Sequence, residues 1–437
     1  MKRKLLLPER IMLGDGATPF NGVFVIRING TLAPENLYNA LSKIQAKHPL
    51  LRAGIVQDKK GTPYFTIPEV YHAIPLTIKD RTSTDDWQQE TKAAWAAVFD
   101  IPNGPLIRIV WLKGSQQSEL LLAFHHCMCD GGGGLMLVKE ILAVLDDPDH
   151  DIGIHPTFTT LEDIVPGHIL TGTRQVLKAK LKGVFIRGVL TMLSAFTSTR
   201  NKQAISREDD YLVHWKLDEQ TSAALFQHCT MHVVTVNTAL CVAFLQAFKL
   251  VRGEKAMNKI TCPVDIRKFI PEIKKDVIFS FGLSLELSIN NDPGIPFWER
   301  VQQLQAVSSR KIAKMNPYDF MLPFEHAHGG IKHMRKFLTY GKPVYDLMFS
   351  NMGKLDVRDK YHSFEVDTIF SPTVVGPFAN PTTIITSTYK GQIDFSFVSN
   401  HTVLDHRDAL AIKELAMKLL LEDLPIAAPA PALSSII

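Results

Sequence analysis

Twice along this chain the hydrophobic period changes from two to 3.6 and back, and a long acid-free stretch separates the two blocks. Strand and helix periods that alternate in this way exclude an all-helical bundle and an all-strand sandwich. They require sheets covered by helices. In the first block, 22–29 is β-rich and ends at Gly30, and Ala33-Pro34-Glu35 opens a helix with Leu37, Ala40, Leu41 and Ile44 on one face. His48-Pro49 stops that helix. A hairpin is expected from 51–56 and 63–67, a helix over 85–99 and a buried strand over 105–112. Residues 120–124 form an apolar strand that runs directly into His125 and His126, after which 131–134 predict a turn and 135–145 a helix.

The second block repeats these element types. Strands are expected at 211–217, 259–264 and 281–289, with helices at 234–252 and 297–314. Further strands fall near 345–350, 364–370, 383–389 and 392–398, before a last helix at 406–422. The expected fold class is α/β of the α+β type, with two lobes, each a mixed sheet flanked by helices, and a cleft between them. The boundaries that follow are 1–165 for the first lobe, 166–207 for the linker, 208–424 for the second lobe, and an Ala- and Pro-rich disordered tail at 425–437.

With 437 residues, 46% of them hydrophobic and 21% charged, the chain can build large cores. A net charge of +4 does not imply nucleic acid, and no arginine-rich or zinc-finger pattern points to it. The cysteines are Cys127, Cys129, Cys229, Cys241 and Cys262; their odd number and irregular spacing fit reduced thiols in the cytoplasm. Pro8, Glu9 and Arg10 cut short the apolar run that follows Lys4, so a secretory signal is not expected, and no stretch reaches the ~20 apolar residues of a spanning helix.

From Ile164 to Arg207 there are eight basic residues and no acidic one. Arg174, Lys178, Lys180, Lys182 and Arg187 alternate with Val176, Leu177, Leu181, Val184 and Phe185. This reads as the crossing between lobes plus a basic amphipathic helix. The plain reading is a solvated connector; the others are peripheral contact with the inner membrane surface through 174–190, or docking of an acidic carrier protein.

The run His125-His126-Cys127-Met128-Cys129-Asp130-Gly131 carries the chemistry. A strand delivers both histidines to its end, and adjacent strand residues point to opposite faces, so the two cannot share one task. One can face a cleft while the other packs inside. Asp130 can turn back to hold the loop, and 131–134 can adopt positive φ or let backbone approach a substrate closely. A neutral imidazole can take a proton from an alcohol or amine, a contribution of ~10²–10⁴ in rate. Two other readings remain at this level. A metal site with Cys127 and Cys129 conflicts with alternation along the chain, and a cysteine nucleophile would need an ionised thiol.

These residues resemble the HHxxxDG signature of the condensation-domain and acyltransferase superfamily at every fixed position. That superfamily includes nonribosomal-peptide condensation domains, plant acyltransferases, polyketide-associated acyltransferases and wax ester synthases. Other landmarks from about 25 to 420 follow in the same order. They are His48-Pro49-Leu50-Leu51-Arg52, Cys262-Pro263-Val264-Asp265-Ile266-Arg267, Ser350-Asn351-Met352-Gly353 as an SNxG turn, and Gly391-Gln392-Ile393-Asp394-Phe395-Ser396-Phe397. The DFGWG motif of the plant branch is absent, and no adenylation or carrier module accompanies these landmarks.

The resemblance implies two chloramphenicol-acetyltransferase-like lobes with a tunnel between them, in a separate, monomeric protein. It implies His126 as general base, His125 supporting it, and Asp130 paired with Arg267 to fix the loop. Gly131 would keep space open and offer a backbone N–H, and Ser350, Asn351 and Gly353 would line the tunnel. No bound cofactor or metal is implied; acyl-CoA or an acyl-carrier-protein thioester would be the donor, and a hydrophobic alcohol, or an amine, the acceptor. The competing class is a non-catalytic relative acting as a binding module.

Overall fold

The computed structural model describes residues 2–154, 158–197, 205–271, 273, 276–422 and 424. Strand β1 (Lys2–Lys4) and helix α1 (Leu7–Leu13) precede strand β2 (Asn21–Gly30) and helix α2 (Pro34–Lys47). The hairpin β3 (Gly54–Gln57) and β4 (Pro63–Thr66), strand β5 (Leu76–Asp80) and helix α3 (Asp86–Ala96) come next. Strands β6 (Ile107–Lys113) and β7 (Gln117–His125) lead into helix α4 (Gly131–Asp146). Helices α5 (Gly167–Thr171) and α6 (Thr173–Phe196) occupy the acid-free stretch.

The second half continues with β8 (Asp210–Leu217), α7 (Glu219–Met231), α8 (Val236–Arg252), β9 (Ile260–Asp265) and β10 (Gly282–Leu287). Helices α9 (Phe297–Ala313), α10 (Tyr318–Ala327) and α11 (Ile331–Tyr340) follow. Strands β11 (Leu347–Lys354), β12 (Phe364–Val375), β13 (Thr383–Tyr389) and β14 (Gln392–Asn400) then precede helix α12 (His406–Leu421). The expected disordered tail lies outside the described residues. Helices 219–231 and 318–340 have no counterpart in the sequence reading.

Two mixed sheets organise these elements, as the α/β expectation requires. One runs β12-β2-β7-β6-β5 and the other β10-β9-β11-β13-β14-β8, with a small third sheet β1-β4-β3. The sheets do not respect the chain boundary at 208. Strand β12 leaves the second half and pairs antiparallel with β2, from Phe364 opposite Gly30 to Val375 opposite Asn21. The physical reason is that β2 would otherwise present a long unpaired edge. Trp95 of α3 fastens the crossing strand by donating its indole N–H to Thr373 Oγ1 at 2.9 Å.

Strand β7 is buried on both faces, which explains its unbroken apolar run. Leu120, Leu122 and Phe124 face the core built with α2 and α4, where Leu37, Leu41, Leu137 and Ile141 are packed. Leu121 and Ala123 face a second layer with Trp87, Trp95, Phe370, Leu212 and Val398. Lys47 and His48, at the end of α2, both bond the Glu140 carboxylate on α4, at 2.5 and 2.6 Å. The strand that carries the histidines is therefore held rigidly from two sides.

Residues 131–134 are not the expected turn, and none of them has positive φ. They are the first turn of α4, because Asp130 caps the helix by accepting from the Gly133 N–H at 2.9 Å. Small size, not backbone freedom, is what the positions need. A Cβ on Gly134 would lie 2.4 Å from Phe24 Cε2, with two more ring atoms at 2.9 and 3.0 Å. Gly134→Ala should therefore cost about 1–3 kcal/mol of stability through overpacking, read as a lower urea midpoint with an unchanged m-value.

Candidate active site

Strand β7 ends at His125, opposite Asn21 of β2, and His126 is the first residue beyond it. The His126 backbone N–H donates to the Phe20 carbonyl at 2.7 Å, which extends the sheet by one bond and fixes where the loop begins. The two histidines differ in burial. His125 is only 2% exposed, whereas His126 is half-buried.

The two rings have different partners. His125 Nδ1 accepts from the Cys127 N–H at 3.3 Å, so this ring braces the turn from inside. His126 Nδ1 lies 2.9 Å from the Cys129 carbonyl oxygen, an acceptor, so Nδ1 must carry the proton. That leaves Nε2 of His126 with its lone pair. The Phe20 ring meets the His126 ring edge-on, with centroids 5.2 Å apart, and Phe378 packs on Phe20 in turn.

Burial lowers the pKa of both imidazoles. His125 falls to about 4 through desolvation, helped by the neighbouring His126. In His126 desolvation again dominates and holds the pKa below the ordinary value, while the Cys129 carbonyl and the charge of Asp130 oppose it. Both rings are thus uncharged at neutral pH. Cys127 and Cys129 are fully buried, and desolvation pushes both thiols well above their ordinary range. Arg3 pulls on Cys127 and Arg267 on Cys129 in the opposite direction, but burial outweighs both, so the environment disfavours a thiolate nucleophile. Among the described residues, no group of three or more His, Cys, Asp or Glu side chains could hold a metal.

Asp130 is the hinge of the loop. Its Oδ1 caps α4, its Oδ2 accepts from Arg267 Nη1 at 2.8 Å, and its backbone N–H donates to the Phe279 carbonyl at 3.2 Å. The structure therefore joins Asp130 and Arg267, which stand far apart in sequence. Arg267 sits just past β9 and is 7% exposed. Its Nη2 donates to the Val277 carbonyl at 3.1 Å, and its guanidinium lies 4.1 Å from the centre of the Phe279 ring. Desolvation pulls the Arg267 pKa down, but Asp130 outweighs it, and the guanidinium stays above its ordinary value.

Ser350, Asn351 and Gly353 are not in a turn: all three belong to strand β11, whose register slips between Asn351 and Lys354. Gly353 has φ +69° and donates its N–H to Asn351 Oδ1 at 2.8 Å. The side chain that reaches the motif is Met352. A Cβ on Gly131 would meet its Sδ at 2.9 Å. Met352, Val277 and Phe279 are thus site residues that the sequence reading missed. Val277 and Phe279 contribute mainly backbone carbonyls, which leave no signal in a sequence.

Residues 12–147 match the family model described as "Condensation domain". One of the plipastatin synthase proteins of Bacillus subtilis is 31% identical over 351 residues, 79% of this chain. Solved structures align along nearly the whole chain. Polyketide synthase associated protein 5 from Mycobacterium tuberculosis has a TM-score of 0.63 at 16% identity, covering 96% of this chain and 98% of that one. The trichothecene 15-O-acetyltransferase TRI3 from Fusarium sporotrichioides has a TM-score of 0.72 at 12% identity, covering 96% and 95%.

The chain belongs to the condensation-domain superfamily. This family comprises acyl and peptidyl transferases. The chain spans only 13% of the length of that plipastatin synthase protein, and the distant structures establish the two-lobed fold alone.

The Asp130–Arg267 pair invites a direct test. Arg267→Ala would leave a partly buried carboxylate without its partner and should cost about 3–5 kcal/mol in urea denaturation. Asp130→Asn should also destabilise the protein, and the double variant should lose less than the two single losses added together.

Proposed function

We propose that this condensation-superfamily protein is an acyltransferase that moves an acyl group from a coenzyme A or acyl-carrier-protein thioester to a hydroxyl acceptor. The observation that carries the reading is the hydrogen bond from His126 Nδ1 to the Cys129 carbonyl, which leaves the Nε2 lone pair unprotonated on a half-buried residue.

In this reading Nε2 takes the proton as the acceptor oxygen attacks the thioester carbonyl. A C–O bond forms, and the carbonyl electrons move onto oxygen. When the tetrahedral intermediate collapses, the C–S bond breaks, and the leaving thiolate takes the proton back from Nε2. Positive charge on the ring is transient, and the nearby Asp130 carboxylate favours it. Asp130 and Arg267 position the loop without exchanging protons. Gly131 opens α4, where the first N–H groups have no carbonyl partner within the helix, and we assign one of them to the oxyanion. No acyl-enzyme is required, in keeping with the buried, raised thiols of Cys127 and Cys129.

One observation favours an amine acceptor instead. The sequence relatives include peptide synthetases, among them a phosphinothricin tripeptide synthetase from Streptomyces viridochromogenes, 24% identical over 373 residues. That match covers 82% of this chain and 32% of that protein. Ester and amide formation share the same base step and differ only in the nucleophile.

Thioester consumption against a panel of alcohols and amines, with coenzyme A and carrier-bound donors, separates the two. His126→Ala should lower transfer by about 10² or more while leaving the thermal midpoint unchanged. A variant that keeps the wild-type rate would remove the base. The pH profile supplies a second check, because the neutral ring is the active form. kcat/KM should hold through neutral pH and fall toward acid with an apparent pKa below 6.5, the ordinary value. Since Asp130 raises the His126 pKa, Asp130→Asn should move that acid limb to still lower pH.

A further inference from the structure

Helix α6 carries apolar side chains on two opposite faces, and the described residues cover one of them. Ala179, Gly183, Leu190 and Ser194 are buried against α10 and α11. At Gly183 the packing is close enough that a Cβ would meet the Pro323 carbonyl at 2.8 Å, and Lys336 donates to the Ser194 carbonyl at 3.0 Å. On the other side, at the helical period, Leu177, Leu181, Val184, Phe185, Met192 and Phe196 share one arc. These six side chains are 54–84% exposed. The sequence reading expected an amphipathic helix with one apolar face; two faces are present, with basic residues between them.

We propose that the exposed arc of α6 seats the protein on a membrane surface containing anionic lipid. The arc runs about 28 Å from Leu177 to Phe196 at ~1.5 Å per residue. Lys178 and Lys182 border it on one side, and Lys180 and Arg187 on the other. Such an exposed apolar strip marks an interaction site. Its charge selects the partner. No acidic side chain occurs between Ile164 and Arg207, so two copies packed through this face would oppose basic residues with basic residues. An anionic counterpart avoids that repulsion.

A lipid surface fits the geometry as well as the sign. The strip lies along a single helix and is bordered by long cationic side chains on both flanks. Apolar side chains can enter the boundary between headgroups and acyl chains, while the flanking cations reach out to phosphates. No single helix among the described residues is long and apolar enough to cross a membrane. Contact is therefore proposed in the plane of the interface.

The test uses the full chain and sedimentation with vesicles, either pure phosphatidylcholine or one part phosphatidylglycerol to two parts phosphatidylcholine. Binding should favour the anionic vesicles and weaken with salt. The double variant Leu181→Ser with Phe185→Ser, and separately Lys178→Glu with Lys182→Glu, should each lower partitioning about tenfold or more. Lys92→Glu with Lys255→Glu makes the same charge change at exposed positions elsewhere and should leave binding within about twofold. Equal binding to neutral vesicles, or no loss in the α6 variants, would overturn the proposal. So would an equal loss in the Lys92/Lys255 control. Dimerisation through this face in sedimentation velocity, or capture of an acidic carrier protein with no vesicle binding, would assign the face to another partner and also overturn it.

Discussion

The ion pair between Asp130 and Arg267 is the contact on which the rest of the site depends. One carboxylate caps α4 and pairs with a guanidinium from the other half of the chain, while the backbone of the same residue bonds Phe279. His126 lies four residues before it, in a loop whose other end is tied to Phe20. The loop is therefore pinned at both ends, by Phe20 just before β2 of one sheet and by Arg267 and Phe279 between β9 and β10 of the other. Partly buried charges carry a desolvation cost, so such a pair is a costly way to gain stability alone. What it does supply is position, because a planar guanidinium bonded to Val277, resting on Phe279 and facing Asp130 has little freedom to shift.

For the proposed base role, position alone is not enough; the ring must also hold the right proton. Burial acts on both adjacent histidines, yet with different consequences. His125 gives its Nδ1 lone pair to the Cys127 N–H and is removed from solvent. His126 donates its Nδ1 proton to the Cys129 carbonyl, which leaves Nε2 unprotonated. Desolvation keeps that ring neutral, while Asp130 and the carbonyl stop its pKa from falling further. The balance matters because a base loses proton-transfer power as its pKa drops, and loses its active form as the pKa rises past the working pH.

Much of this was legible from local pattern. The period-two and period-3.6 segments located most strands and helices, and the seven-residue motif marked the loop, because both signals lie within one stretch of chain. The places where the reading departed share a different character. The four glycines from Gly131 to Gly134 suggested a turn, but their role is steric: Phe24, Cys129 and Met352 lie where side chains would be. Ser350-Asn351-Met352-Gly353 suggested a turn, yet it is a bulged strand whose Met352 matters most to the motif. Carbonyls such as those of Phe279 and Val277 carry no residue signature at all. Nor does alternation in 364–375 reveal which sheet the strand will join.

That last strand changes what the two halves can be. Residues 1–165 contain the motif, but their sheet is completed by β12, and their principal core contains Ile278, Leu355, Phe364, Val366, Ile369 and Tyr389 from the second half. Removing those residues would expose the β2 edge and open cavities beside β2 and β7, the strands that place Phe20, His125 and His126. The same second half supplies Arg267 to the loop and Met352 to the start of α4. Support for the sheet and support for the site therefore come from the same partner. It follows that the motif-bearing half cannot keep the geometry of this loop as an independent lobe: His126, the proposed general base, is placed by contacts that exist only when both halves are folded together.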